Sequence, residues 1–164
     1  MTMSCERVVH PFGPVYDKNC RILILGSLPS VKSRQQQFYY GHPQNRFWKV
    51  LGGVYGCPVP ETVEEKKEFL LSHHIALWDV IRECEIQGSS DASIKNVVPN
   101  DLSGILVRCP VSRILCNGRA AASYYHKFME PATGMPCVVL PSTSPANASW
   151  SLDRLTEAWR AALL

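Results

Sequence analysis

Residues 26–48 read GSLPSVKSRQQQFYYGHPQNRFW, and hydroxyls, amides and aromatic rings crowd there at a density that a plain connection does not need. The Asn45 side-chain amide can accept from a water and donate to it, and so place a nucleophile without acting as a strong base; Asn is equally a favoured helix cap. Ser27 and Ser30, with the backbone N–H groups of Gly26 to Leu28, can bind carbonyl or phosphate oxygens, or can satisfy turn hydrogen bonds. Tyr40, with Phe38 and Tyr39 beside it, offers a flat platform for a ring, unless these aromatics only pack on a core. His42 can donate to an anionic group or merely shape the turn before Pro43. Two further places carry polar groups of the same kind. Asp79 and Asn117 each end an apolar run, as ligand contacts or as cap and turn residues. Ser142-Thr143-Ser144-Pro145-Ala146-Asn147 offers small hydroxyls suited to phosphates, or a capped loop. Arg46, Lys49 and Arg119 are candidate phosphate contacts, although single cations are more often solvated surface.

The elements that must position these groups follow from the apolar pattern. Arg21 to Gly26 is a short apolar run without alternation, the mark of a strand buried on both faces. Ile75–Ile81, Ser112–Cys116 and Cys137–Leu140 repeat it. Helical patterns separate them: one entered near Pro43 and closed by Gly52-Gly53, one over 61–73 with Thr62 and Glu65 as a capping box, one to about Arg108, one over 119–129 and a closing helix over 150–164. Residues 1–20, with Pro11 and Pro14, read as an irregular lead-in, and residues 83–96, containing GSSDAS, as a long polar loop and candidate lid. Alternating strands and helices predict an α/β fold: a three-layer sandwich around a four-stranded parallel sheet, in a single domain over 1–164. Ligand sites of such sheets lie beyond the carboxyl ends of the strands, so Gly26, Asp79, Asn117 and the 142–147 segment should converge there.

Composition narrows the partners without choosing one. The net charge of +3 and pI near 8.5 permit a nucleic-acid partner and do not demand it. No apolar stretch has membrane-spanning length, and the N-terminus lacks the apolar segment of a signal peptide, so a cytoplasmic protein is expected. Seven cysteines, none in C-x-x-C spacing, predict neither disulfides nor a metal or iron–sulfur site, and no cofactor motif occurs.

GSLPS, then FYYGHPQNRFWKVL, then LPSTSPAN together resemble the uracil-DNA glycosylase superfamily, and within it the hypoxanthine-DNA (deoxyinosine) glycosylase branch; the NRFWKV segment is also shared with mismatch-specific uracil/thymine glycosylases. The resemblance runs from Pro11 to Leu164. It implies hydrolysis of the N-glycosidic bond of a deaminated base flipped out of duplex or single-stranded DNA, leaving an abasic site, without a cofactor and by a monomer. On this resemblance Tyr40 is the platform for the flipped base, and Gly26, Ser27, Leu28, Phe38, Asp79, His42 and Asn117 surround it. Asp79 could accept the N1–H of hypoxanthine. Ser30, Arg46, Arg119, Ser142, Thr143, Ser144, Pro145 and Asn147 face the DNA. One departure bears on mechanism: where mismatch-specific relatives carry a water-binding Asn in GINPG, this chain has Leu28, and the hypoxanthine branch implies that Asn45 takes over. No lysine stands in the motifs to form a Schiff base, so strand-cutting lyase activity is not expected.

Other readings stay open at this point. Uracil opposite guanine is the alternative base. The loss at Leu28 also fits a non-catalytic binder of damaged or single-stranded DNA, and the same sheet edge would suit a nucleoside hydrolase.

Overall fold

A computed structural model of the chain describes residues 6–87 and 93–164; Cys5 and most of the GSSDAS segment lie outside them. In chain order the elements are β1 (Glu6–Val9), β2 (Ile22–Gly26), α1 (Val31–Gln36), α2 (Phe47–Tyr55), α3 (Val63–Ser72), β3 (Ile75–Asp79) and β4 (Ile81–Ile86). Then follow β5 (Lys95–Pro99), α4 (Ser103–Arg108), β6 (Arg113–Asn117), α5 (Arg119–Phe128), α6 (Glu130–Thr133), β7 (Cys137–Leu140) and α7 (Leu152–Leu163).

The main sheet is parallel, in the order β3-β2-β6-β7, with Ile24 of β2 level with Leu77 and Leu115. Period-two alternation then divides the core. Ile22 and Ile24 face one side with Phe47, Val50, Leu51 and Val54 of α2, Phe69 and Leu70 of α3, and Leu155, Trp159 and Leu163 of α7. Leu23 and Leu25 face the other with Ile105 of α4 and Ala121, Ala122 and Tyr125 of α5. The expected three-layer architecture around four parallel strands is present.

A second sheet, antiparallel in the order β1-β4-β5, was not anticipated. The lead-in is therefore not irregular throughout, and Val15 also bridges Leu77 on the outer edge of β3 with paired 2.9 Å hydrogen bonds. Of the polar stretch read as a loop over 83–96, residues 83–86 and 95–96 are strand: Ile81, Cys84 and Ile86 are buried under Val8 and Leu28, while Arg82, Glu83 and Glu85 lie on the wetter side. Bulges between Ile81 and Glu85 break the alternation that would have revealed it.

Gly52-Gly53 do not end α2. The helix runs to Gly56, in the left-handed region at φ 64°. The two glycines instead allow close approach: a Cβ on Gly53 would stand 3.0 Å from Thr156 Cγ2 of α7, and one on Gly52 would stand 3.1 Å from the Cys57 carbonyl oxygen. The helix entry lies at Phe47, not Pro43. At α7, Ser151 caps the start; Leu155, Trp159 and Leu163 are buried and Leu152 is exposed.

Candidate active site

Gly26, Asp79, Asn117 and Leu140 end the four parallel strands, and the loops beyond them open on one cleft of about 310 Å³. Of the residues singled out in the sequence, Gly26, Ser27, Leu28, Ser30, Tyr40, Asn45, Asp79, Asn117, Arg119, Ser142, Thr143 and Ser144 line it.

Asn45 is fixed by a chain of hydrogen bonds that crosses three elements. Its Oδ1 accepts from the Phe47 N–H at the start of α2 (3.0 Å) and from Thr143 Oγ1 after β7 (2.9 Å). Thr143 Oγ1, fully buried, accepts in turn from Asn117 Nδ2 (3.0 Å), and Asn117 Oδ1 accepts from the Thr143 N–H (3.0 Å). A backbone N–H facing Asn45 requires an oxygen there, which decides the orientation of the amide. Both lone pairs of Oδ1 are taken. The acceptor half of the expected role is therefore closed; Nδ2 makes no hydrogen bond among the described residues.

Tyr40 stacks on Phe47 with ring centroids 4.0 Å apart, so one face of its ring is occupied and only the other can meet a base. Its backbone sits in the left-handed region at φ 53°, a conformation that costs energy for a bulky residue and clusters at functional sites. Its hydroxyl is buried and makes no hydrogen bond of ordinary geometry, with the Asn117 amide close by. Burial, with the Asp79 charge adding to it, holds the phenol above the usual tyrosine range, so it stays a donor.

Asp79 is almost fully buried. Its Oδ1 and the Tyr40 hydroxyl both lie over the α-carbon of Gly26: a Cβ there would meet them at 2.4 and 2.9 Å. Glycine is thus required by space. Asn100 Nδ2 donates to the Asp79 carbonyl oxygen (2.8 Å) and fixes the strand end.

Other expectations are corrected. Phe38 does not line the cleft; it is buried, stacked on Trp48 at 6.2 Å and on Phe12 at 6.5 Å. His42 shapes its own turn, Nδ1 accepting from the Gln44 N–H (3.1 Å), and is not among the cleft residues. Ser30 caps α1, accepting from the Ser33 N–H. Arg46 is no free phosphate contact: its guanidinium donates to the carbonyls of Trp150, Ser144 and Asn147 and clamps the 142–150 loop. Asn147 is spent inside that loop, donating to the Ser142 carbonyl (3.0 Å). Pro145 and Ala146 are left exposed at its tip.

Two contributors escaped the sequence reading. Arg34 of α1 lines the cleft with a buried, unpartnered Nε. His10, just beyond β1, reaches Asp79 through its ring at 2.7 Å. Nothing in the spacing of the chain connects residue 10 to residue 79. Among the described residues no group of three or more His, Cys, Asp or Glu side chains is placed to hold a metal ion, and no helix is long and apolar enough to cross a membrane.

A family model described as the uracil DNA glycosylase superfamily matches residues 14–163. A protein of Methanosarcina acetivorans named hypoxanthine DNA glycosylase is 42% identical over 155 residues, 92% of this chain and 94% of that one. A Methanosarcina barkeri protein of the same name is 37% identical over 141 residues, covering 83% and 86%. The solution NMR structure of a Methanosarcina acetivorans protein described as a candidate uracil DNA glycosylase superposes with a TM-score of 0.79 at 39% identity, over 93% of this chain and 94% of that one.

Proposed function

This chain belongs to the uracil DNA glycosylase superfamily, and from that premise we propose that it hydrolyses the N-glycosidic bond of a deaminated base flipped out of DNA, hypoxanthine before others, and leaves an abasic site. One observation carries the reading beyond the names of the relatives. Over Gly26, on the floor behind the cleft lining, an acceptor, Asp79 Oδ1, and a buried donor without a partner, the Tyr40 hydroxyl, lie close together. Deamination turns the amidine edge of adenine, a ring-nitrogen acceptor beside an amino donor, into the lactam edge of hypoxanthine, an N1–H donor beside the O6 acceptor. The floor complements the product of deamination and opposes adenine, whose unpaired groups would be buried at a cost.

The reaction asks little more of the protein. The base leaves with the bonding electrons, the sugar becomes oxocarbenium-like, and a water adds to it. Charge grows on the departing base, where pre-oriented donors act without reorganising. Asn45 Nδ2 and the Tyr40 hydroxyl are such donors, and Asn45 is the proposed catalytic residue. The 142–147 loop, its exposed Pro145-Ala146 tip foremost, enters the DNA, while Arg34 and Arg119 meet phosphates beside the cleft. Hydrolysis without strand cutting is the proposed outcome, since strand cutting would need an amine to form a Schiff base with the sugar. The protein acts as a single-domain monomer in the cytoplasm, on duplex or single-stranded DNA. Uracil carries the same lactam edge at N3–H and O4 and is the second substrate to examine.

Labelled oligonucleotides with one hypoxanthine or one uracil, in single and double strands, test this directly once abasic sites are opened with alkali. Cleavage at hypoxanthine, lost in Asn45→Ala, is expected. Cleavage at uracil alone would reassign the base, and no cleavage at either with DNA binding intact would refute the enzyme.

A further inference from the structure

Among the described residues the ion pair of His10 with Asp79 is the most deeply buried, with side chains 2% and 4% exposed and Nε2 2.7 Å from Oδ2. A buried carboxylate oxygen needs a donor. The histidine that supplies it is held in place from several sides. Its backbone N–H donates to the Arg82 carbonyl (2.7 Å), which ties it to β4 of the small sheet. Its ring lies edge-on to Phe12 at 4.6 Å. Nδ1 accepts a long 3.5 Å hydrogen bond from the Phe12 N–H, so the ring proton sits on Nε2 and is donated to Asp79. Oδ2 is thereby satisfied from behind, and Oδ1 is the oxygen left over Gly26 on the cleft floor.

We propose that His10 is a positioning residue: its Nε2–H occupies Oδ2 of Asp79 and leaves Oδ1 turned to the cleft as an acceptor, and so restricts the site to bases whose edge carries a ring N–H beside a carbonyl. Without that donor the carboxyl is free to turn, and the preference against the ring-nitrogen acceptor of adenine is lost. The inference rests on the glycosylase reading for its substrate and on the geometry of the pair for the rest. It also gives the small sheet a purpose, since β1 and β4 deliver this one ring to the end of β3. The other titratable groups that feel Asp79 are Tyr39 and Tyr40, whose phenols burial keeps neutral, and the cations of the cleft are Arg34 and Arg119.

Single-turnover excision from a hypoxanthine oligonucleotide, and from a matching adenine one, tests the proposal with His10→Ala and His10→Gln. The alanine leaves Asp79 without its donor; the glutamine amide restores one of similar reach. His10→Ala should lose about tenfold or more in rate and release adenine faster relative to hypoxanthine than the parent does. His10→Gln should stay close to the parent. Equal losses in both variants with an unchanged preference for hypoxanthine over adenine would reduce His10 to a packing residue and overturn the proposal, as would a parent-like His10→Ala. Imidazole 15N NMR of the unmutated protein gives a readout free of catalysis: an Nε2-protonated His10 is expected, and a ring whose proton sits on Nδ1 overturns the pairing. Should the parent excise no base at all while the NMR finds the Nε2 tautomer, the failure lies with the function and not with the pair.

Discussion

Before any substrate arrives, Asn45 Oδ1 already accepts from the Phe47 N–H and the Thr143 hydroxyl, and this decides between two uses of the same amide. If Asn45 worked by accepting from water, Asn45→Asp would keep or improve the function, because a carboxylate oxygen can take the same two hydrogen bonds and offer a second acceptor. If it works by donating, the aspartate fails as badly as alanine. We expect both variants to lose about 10²–10³ in the single-turnover rate, the loss usual for one pre-oriented donor, with circular dichroism unchanged. Tyr40→Phe isolates the other donor. It keeps the stack on Phe47 and removes a buried hydroxyl that lacks a good partner, so the variant should unfold at equal or higher urea concentration while excising hypoxanthine about tenfold more slowly. Much of this was legible in the chain: Asn45, Tyr40, Asp79, Asn117 and Thr143 stand in motif loops at strand ends, where topology must bring them together. Phe38 was misplaced because three consecutive aromatics give no sign of which one turns outward. Arg46 and Asn147 were misread because a cation or an amide in a loop looks alike whether it meets a phosphate or a carbonyl of its own chain.

At the scale of elements, the loop after β7 is braced by its own chain. Arg46, at the entry to α2, ties the carbonyls of Ser144, Asn147 and Trp150, and Ser142 Oγ accepts from the Ser144 N–H (3.1 Å). A rigid tip avoids the ordering entropy that a slack loop would lose on binding. Arg46→Ala should therefore weaken binding to hypoxanthine DNA by about tenfold, and excision at saturating enzyme should fall less; Arg46→Lys, with one donor centre in place of a fork, should recover little. An equal fall in binding and in the saturated rate would show that Arg46 acts on the chemistry through Asn45 instead. The contact of α2 with α7 makes a separate prediction. Gly53→Val thrusts a branched side chain into Thr156 and should cost about 1–3 kcal/mol in urea unfolding, while the folded fraction keeps its excision rate. Glycine pairs read from sequence as a helix stop, and here Gly53 marks close packing of α2 on α7 while Gly52 admits the turn that follows α2, a distinction that depends on what lies opposite. The strands β4 and β5 were hidden for a related reason: bulges spoil their period, and charged residues on the exposed side mimic a loop.

For the molecule as a whole, charge sets how the cleft finds its base. A net charge of +3 on 164 residues is small for a nucleic-acid protein, and the cations lining the cleft are Arg34 and Arg119. With Arg46 spent inside the protein, few phosphates can be neutralised at once. Counterion release scales with that number, at about 0.9 per phosphate on duplex DNA. We expect the logarithm of the binding constant to fall with the logarithm of salt concentration at a slope of only about −2 to −4, by fluorescence anisotropy on undamaged duplex. Shallow salt dependence means weak non-specific binding, so discrimination must come from the hydrogen bonds and ring contacts of the floor, which salt screens little. The same titration on a duplex with hypoxanthine should accordingly give a tighter constant at an unchanged slope. A steeper slope on the damaged duplex would mean that further cations engage once the base is flipped, and Arg119→Ala would then reduce the slope by about one unit. That outcome would move part of the specificity from the cleft floor to the phosphate contacts around it, and it separates the two because Tyr40→Phe alters only the floor.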